Sequence, residues 1–518
     1  MPVTKAPDSS TGFFGHPTGL ATLFFTEMWE RFSYYGLRPL LVLFMSAALL
    51  DGGFGFDRGQ ASAIVGIYAA FVYLASLPGG WVADRWLGLQ RAISIGAVLI
   101  SAGHISIGLS GFAGQGTLGK VCFFAGLALI VMGTGLLKPN ISAIVGDLYP
   151  EGGARRDAGF SIFYMGINIG AFFGQLVTGF LGEQVGWHWG FGAAGAGMLL
   201  GLFVFRAFAG RTLGALGTDI VRDPDPAVQA RRESQVKRVV AVVLAAVVVV
   251  FILAASGAVT LDPQAIGANM TAVLVGMAVV FFGYVFVAGG ITAGERKRVA
   301  LIVVLFVFAA MFWSAFEQAP TSLNLFARDF TDRALGSFTI PATWFQSVNS
   351  FFIILLAPVA AAVWVGLGRR NRELSSATKF ALGLAFAGAG FALMIVAANR
   401  VVASNGTLLV SPWWLVGSYF FQTVGELCLS PVGLSSMTKL SPRKYVGQMM
   451  GIWFLASAVG NLIGGLVGGR VDPENLQQMP ELFTVTTASL FIAAVILALL
   501  AVPIKRMIDS AGGESGRA

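Results

Sequence analysis

The chain has 518 residues, 56% of them hydrophobic and only 12% charged, with 67 glycines and 43 phenylalanines. A soluble domain carries about a quarter charged residues, so a water-soluble enzyme, a collagen, a coiled coil and a disordered chain are all excluded. The formal charge of +8 would suit nucleic acid only if it were clustered, and its distribution shows otherwise.

A helix crosses the hydrocarbon with about 20 apolar residues. Taken in chain order, stretches of that kind lie near 19–50, 60–86, 91–111, 118–147, 157–182, 189–209, 236–256, 272–293, 298–327, 341–366, 377–399, 412–438, 444–469 and 479–508. These fourteen predicted spans are far longer than the roughly 10-residue alternating strands of a membrane barrel. The polar start MPVTKAPDSSTGFFGHPTG lacks a basic-then-apolar signal, so the first span is expected to be retained. With the N-terminus inside, 25 of the 34 Lys and Arg fall in cytoplasmic loops, 6 in outer loops and 3 within helices. Such a bias sets orientation, removes the nucleic-acid reading and puts both termini in the cytoplasm. A bacterial inner membrane, multi-pass location is expected, with lipid as a partner. Cys122 and Cys428 sit in apolar stretches and His16, His104 and His188 are scattered, so no disulfide, metal or other cofactor is expected. His104 reads as a packing residue.

The predicted order is an N-terminal tail (1–18), a six-helix bundle (19–209), a linker with two extra spans (210–297), a second six-helix bundle (298–508) and a tail (509–518). The two middle helices carry almost no polar side chain and are expected to face lipid. This is an all-α polytopic membrane protein. Twelve core helices in two related halves resemble the major facilitator fold, whose substrate cavity lies at the interface of the halves. GGWVADRWLG resembles that superfamily's loop motif, in which Asp84 and Arg85 would brace neighbouring helix ends.

Ionisable groups within spans carry the functional information. A charge at mid-membrane costs about 2.5–3.5 kcal/mol on insertion scales, so it persists where it is paired or wetted. In TEMWERFSYYGLRPL, positions 27, 30, 31, 34, 35 and 38 share one helical face, which reads Glu27, Glu30, Arg31, Tyr34, Tyr35, Arg38. An i, i+4 pair of Glu27 and Arg31 explains two of these charges and leaves the rest of the stripe facing a cavity. Lys138, Glu317 and Glu426 are lone charges on three other spans, each followed by a proline that frees backbone carbonyls. Static salt bridges that merely fix packing are the alternative, but such bridges contribute little net stability. Asn168 and Asn349 add amides that serve either as interhelical links or as cavity groups.

No GxxxxGK[ST] loop or ATPase domain appears, so a primary pump is excluded. Buried carboxylates can exchange protons near neutrality, which favours proton coupling over sodium coupling. Rival readings are a carrier of another solute on the same scaffold, a channel or receptor, and a membrane enzyme. The enzyme reading lacks a nucleophile–base pair.

EMWERFSYYG resembles the ExxERFxYYG signature of the proton-dependent oligopeptide transporters, also called the peptide transporter or solute carrier 15 family. FYMGINIGAF is similar to that family's FYxxINxG signature, and GTGLLKPNI, FWSAFEQ and QTVGELCLSPVGLSSMTKLSP resemble its fourth, seventh and tenth core helices. The two extra helices resemble its bacterial branch. The resemblance implies proton-driven uptake of di- and tripeptides by a protein that acts as a monomer. It implies that Glu27, Glu30 and Arg31 couple protonation to binding, and that Arg38 with Glu317 and Lys138 with Glu426 form gate pairs. Arg31 and Lys138 would attract the peptide carboxylate, while Asn168, Asn349 and Glu426 would hold its amino terminus. Tyr34, Tyr35, Tyr73, Trp313 and Trp453 would line side-chain pockets, with Ser457 beside them. Mammalian members carry a histidine where this chain has Gly66, so here carboxylates are expected to carry the proton, with Glu317 and the Glu27/Glu30 pair as candidates.

Overall fold

Hydrocarbon offers no water to take backbone hydrogen bonds, so each span must close them within its own helix. In the computed structural model, which describes residues 12–514 apart from 221, 371 and 373, the apolar stretches do so. Lys5 and Arg517 of the loop count, and the ends of both expected tails, lie outside the described residues.

The chain forms two compact units. The first comprises residues up to Gly55 together with Phe71–Asp262. It holds α1 (Thr18–Ser46), the second half of α2 (Arg58–Val82), α3 (Leu89–Ser110), α4 (Thr117–Asp147), α5 (Gly153–Phe180), α6 (Trp187–Thr212) and α7 (Pro226–Ala255). The second comprises Phe56–Ala70 and the chain from Pro263 onward. It holds the start of α2, then α8 (Pro263–Val287), α9 (Ala293–Phe316), the short α10 (Asn324–Phe330), α11 (Trp344–Arg369), α12 (Ser376–Ala403), α13 (Trp413–Leu440), α14 (Val446–Gly468) and α15 (Gln478–Glu514). Among the described residues, twelve helices, counting α9 and α10 as one, are long and apolar enough to cross a membrane. The two other long helices, α1 and α13, have 29 and 28 residues; α1 carries Glu27, Glu30, Arg31 and Arg38, and α13 carries Glu426.

Three of the boundaries that differ from the apolar stretches have a clear local reason. α7 starts ten residues earlier than expected because Asp225 caps it, accepting from the Ala227 amide at 2.8 Å, and Pro226 fills its first position. Hydropathy detects only the part of such a helix that meets lipid. α8 stops short at Gly289–Gly290, where Gly290 takes a φ of +64°, a left-handed backbone that favours glycine. α9 then restarts through a capping box between Thr292 and Glu295. It breaks after Phe316 into a π-helical turn, Ala319–Leu323, that contains Pro320. Proline cannot donate to the helix ladder.

Within each unit the helices meet along small-residue seams, because lipid tails supply no hydrophobic drive between helices and close approach must. Reciprocal contacts join α3 to α4: a Cβ on Gly96 or Gly103 would lie 2.6 Å from the carbonyl oxygen of Gly133 or Gly126. A similar seam sets α1 on α5, where a Cβ at Gly174 would fall 2.4 Å from the Phe32 carbonyl oxygen. No residue in the apolar window of α7 is buried, and 22% of that of α8 is.

Candidate functional site

The seam against α5 uses the Met28–Phe32–Gly36 side of α1, which leaves the polar stripe on a different face. That stripe is buried within the first unit: Glu27, Glu30 and Arg31 are 2%, 0% and 2% exposed. Arg31 Nε lies 3.0 Å from Glu27 Oε1 and also bonds the Glu30 carboxylate. The i, i+4 pair is therefore present, and Glu30 shares the same guanidinium, so two carboxylates surround one cation. The Arg31 guanidinium also sits 5.4 Å from the centre of the Tyr34 ring, and Tyr34 packs edge-on against Tyr35 with centroids 5.1 Å apart. Arg38, one turn further on, is buried as well.

Two other helices complete this cluster. Lys138 of α4 places its ammonium 4.4 Å from the centre of the Tyr73 ring of α2, a cation–π contact. Lys138, Arg31 and Glu30 all act on the Glu27 carboxylate electrostatically. Residues from three spans thus meet in one place. Their formal charges, Glu27 and Glu30 against Arg31 and Lys138, balance.

In the second unit the polar groups gather on α11 and α13. Asn349 donates its amide to Thr423 Oγ1 at 3.0 Å and to Glu426 Oε2 at 3.2 Å. Glu317, at the end of α9, is 4% exposed and acts electrostatically on Glu426. Its backbone N–H still bonds the Trp313 carbonyl at 2.9 Å, just before the helix breaks. α14 passes close beside it, since a Cβ at Gly464 would stand 3.1 Å from the Glu317 carbonyl oxygen. Two carboxylates and an amide are thus grouped in the second unit.

The remaining expected residues are placed as follows. Trp313 stands edge-on to Phe312 and Phe316, with centroids 5.4 Å away in both cases. Trp453 is buried with its ring pressed on Gly433, and Ser457, 3% exposed, accepts the Asn461 amide on its carbonyl at 2.9 Å. Asn168 bonds the Tyr164 carbonyl of its own helix at 3.0 Å. Asp84 and Arg85 are exposed in a π-helical turn, Ala83–Leu87, with Arg85 5.7 Å over the Trp81 ring. Nearby, Gln90 donates to the Gly214 and Leu216 carbonyls, and Lys237 sits 5.7 Å over the Trp86 ring.

Sequence reasoning missed Thr423, although its spacing three residues before Glu426 places it on the same face. It also missed the partners of Gln318, which reaches Thr486 at 3.3 Å and accepts from Ser322 at 3.1 Å. Arg58 counted only as an outer-loop charge, yet it lies 2.5 Å from Asp329, donates to the Val471 carbonyl at 2.9 Å and stands 3.9 Å from Asp472. No local pattern announces partners more than 250 residues away.

Gly66 has a steric reason to lack a side chain. Its Cβ would lie 2.7 Å from the Asn461 carbonyl oxygen and 2.9 Å from Gly465 Cα, both backbone atoms that cannot swing aside. Gly66→Leu should cost about 1–3 kcal/mol through overpacking and lower the thermal midpoint of the purified protein. A midpoint equal to that of the parent chain would show that the α2–α14 seam is loose.

Comparison with known proteins places these features in context. The sequence profile of the POT family matches residues 90–481. The peptide transporter YePEPT of Yersinia enterocolitica subsp. palearctica is 48% identical, over 99% of both chains. A di-/tripeptide transporter of Lactococcus lactis subsp. cremoris is 37% identical, over 88% of this chain and 90% of the relative. A crystal structure of a peptide transporter POT in complex with sulfate superposes with a TM-score of 0.86 at 44% identity, covering 96% of each chain.

Proposed function

Since the chain belongs to the POT family and is a multi-pass membrane transporter, not an enzyme, we propose that it imports di- and tripeptides together with protons by alternating access. The relatives' own substrates support the solute class, one being a peptide transporter and another a di-/tripeptide transporter. The observation that carries the reading is a cluster of buried ionisable side chains in each unit, the first with two cations among its four charges and the second with two carboxylates. One cluster presents Lys138 over Tyr73 beside Arg31; the other presents Glu317 and Glu426 beside Asn349. A zwitterionic peptide has one charge for each.

In this reading Arg31 and Lys138 hold the peptide carboxylate, and Asn349, Glu426 and Asn168 receive its amino group. Tyr34, Tyr35, Arg38, Tyr73, Trp313, Trp453 and Ser457 contact the rest of the substrate, and the aromatic walls tolerate many side chains. Glu27, Glu30 and Glu317 are the groups through which protons enter the cycle. The 25-to-6 split of loop Lys and Arg supports cytoplasmic termini in a bacterial inner membrane.

Reconstituted uptake tests this directly. Liposomes carrying the protein should take up labelled dialanine and trialanine saturably, and accumulate them above equilibrium only with an inward proton gradient. Uptake that ignores the gradient would reject proton coupling. Uptake of neither peptide, by protein that is folded and monodisperse, would reject the solute class.

A further inference from the structure

α1 and α6 of the first unit approach closely at two levels and part between them. At one level a Cβ on Gly201 would lie 3.1 Å from Trp29 Cβ and 3.3 Å from the Thr26 carbonyl oxygen. At the other, a Cβ on Gly19 would lie 3.2 Å from the Thr212 carbonyl oxygen, and the hydroxyls of Thr22 and Thr212 are 2.8 Å apart. Between these pinch points lie Phe25 of α1 and Phe208 of α6. The result is a crevice of about 320 Å³, lined on one side by Ala21, Thr22 and Phe25 and on the other by Val204, Phe208 and Thr212. Phe25 and Phe208 are 40% and 45% exposed, so the crevice opens sideways from two membrane-spanning helices. From Val204 to Thr212 it runs about 12 Å at 1.5 Å per residue.

Only two things in a bilayer can cover such an opening, another helix or lipid. A helix is about 10–12 Å across with its side chains, too wide for a slot pinched at both ends, whereas a single hydrocarbon chain is not. Charge complementarity narrows the choice further. Arg211 lies seven residues beyond Val204, just under two turns, and so returns to the crevice face. It is exposed in the last turn of α6, and among the described residues no carboxylate lies within ion-pair distance of it. Thr18, which also lines the crevice, has a buried hydroxyl with no hydrogen-bond partner among the described residues. It lies at the same end as Arg211, where an ester carbonyl would follow a headgroup phosphate.

We propose that the α1–α6 crevice seats one acyl chain of an anionic phospholipid from the adjoining leaflet, with the lipid phosphate on Arg211. The site faces away from the polar stripe of α1, and its occupancy does not depend on which solute the protein carries.

Native mass spectrometry of the full chain, purified in mild detergent and given equal amounts of dioleoyl phosphatidylglycerol and dioleoyl phosphatidylcholine, tests this. The parent protein should retain one phosphatidylglycerol in preference to phosphatidylcholine. Arg211→Gln, a change at an exposed position, should reduce that preference about fivefold, the usual gain from one arginine near anionic lipid. Ala21→Phe, which fills the slot, should lose the retained lipid whatever its headgroup. Equal retention of the two lipids by the parent protein, or an unchanged lipid complement in both variants, would overturn the proposal. A thermal midpoint raised by phosphatidylglycerol in the parent chain but not in Arg211→Gln gives a second readout, and a midpoint raised equally in both would also overturn it.

Discussion

Replacing Glu317 with glutamine is expected to abolish peptide accumulation driven by a proton gradient while leaving peptide-for-peptide counterflow intact. The substitution keeps the size of a side chain that is 4% exposed and removes its negative charge together with its ability to gain and lose a proton. Each coupled proton falling through a one-unit pH gradient supplies about 1.4 kcal/mol, a roughly tenfold concentration ratio. That ratio should drop to about one in Glu317→Gln. Glu317→Asp, which keeps the proton, should retain most of it. Accumulation in Glu317→Gln at the parent level would remove Glu317 from the coupling and leave Glu27 and Glu30 as the candidates.

Lys138→Ala is expected to weaken transport of dialanine strongly and of dialanine amide little. A hydrogen bond to a charged group contributes about 1.5–3 kcal/mol, so losing the ammonium should raise the apparent KM for the free acid by about 10- to 150-fold. The amide has no terminal carboxylate to lose, which separates a substrate contact from a structural one. Lys138 also rests on the Tyr73 ring and acts on Glu27, so a purely structural lysine would damage transport of both compounds equally. Near-normal dialanine uptake would show that neither role matters.

Much of this protein follows from patterns only a few residues long. Spans follow from apolar length, because hydrocarbon forbids an unbonded backbone and a helix of about 20 residues is the shortest solution. The pairing of Glu27 with Arg31 follows from the 3.6-residue repeat, which stacks positions four apart on one face, and the structure shows that pair at 3.0 Å. Where local pattern misled, the cause was equally local. The polar opening turns of α7 carry no hydropathy signal although Asp225 and Pro226 start a helix there. The α9 stretch reads as one apolar run although Pro320 lies in a π-helical turn within it.

Residues alone reveal the number of apolar spanning stretches, the confinement of buried charges to a few of them, and which residues of one turn share a face, since all of these depend on neighbours close along the chain. Only the tertiary structure decided that Tyr73 lies under Lys138, that Thr423 joins Asn349 and Glu426, and that Arg58 meets Asp329 and Asp472. Those contacts join separate helices. They depend on where glycine seams let backbones approach and on how each helix is rotated about its axis, and no property of a single helix specifies either.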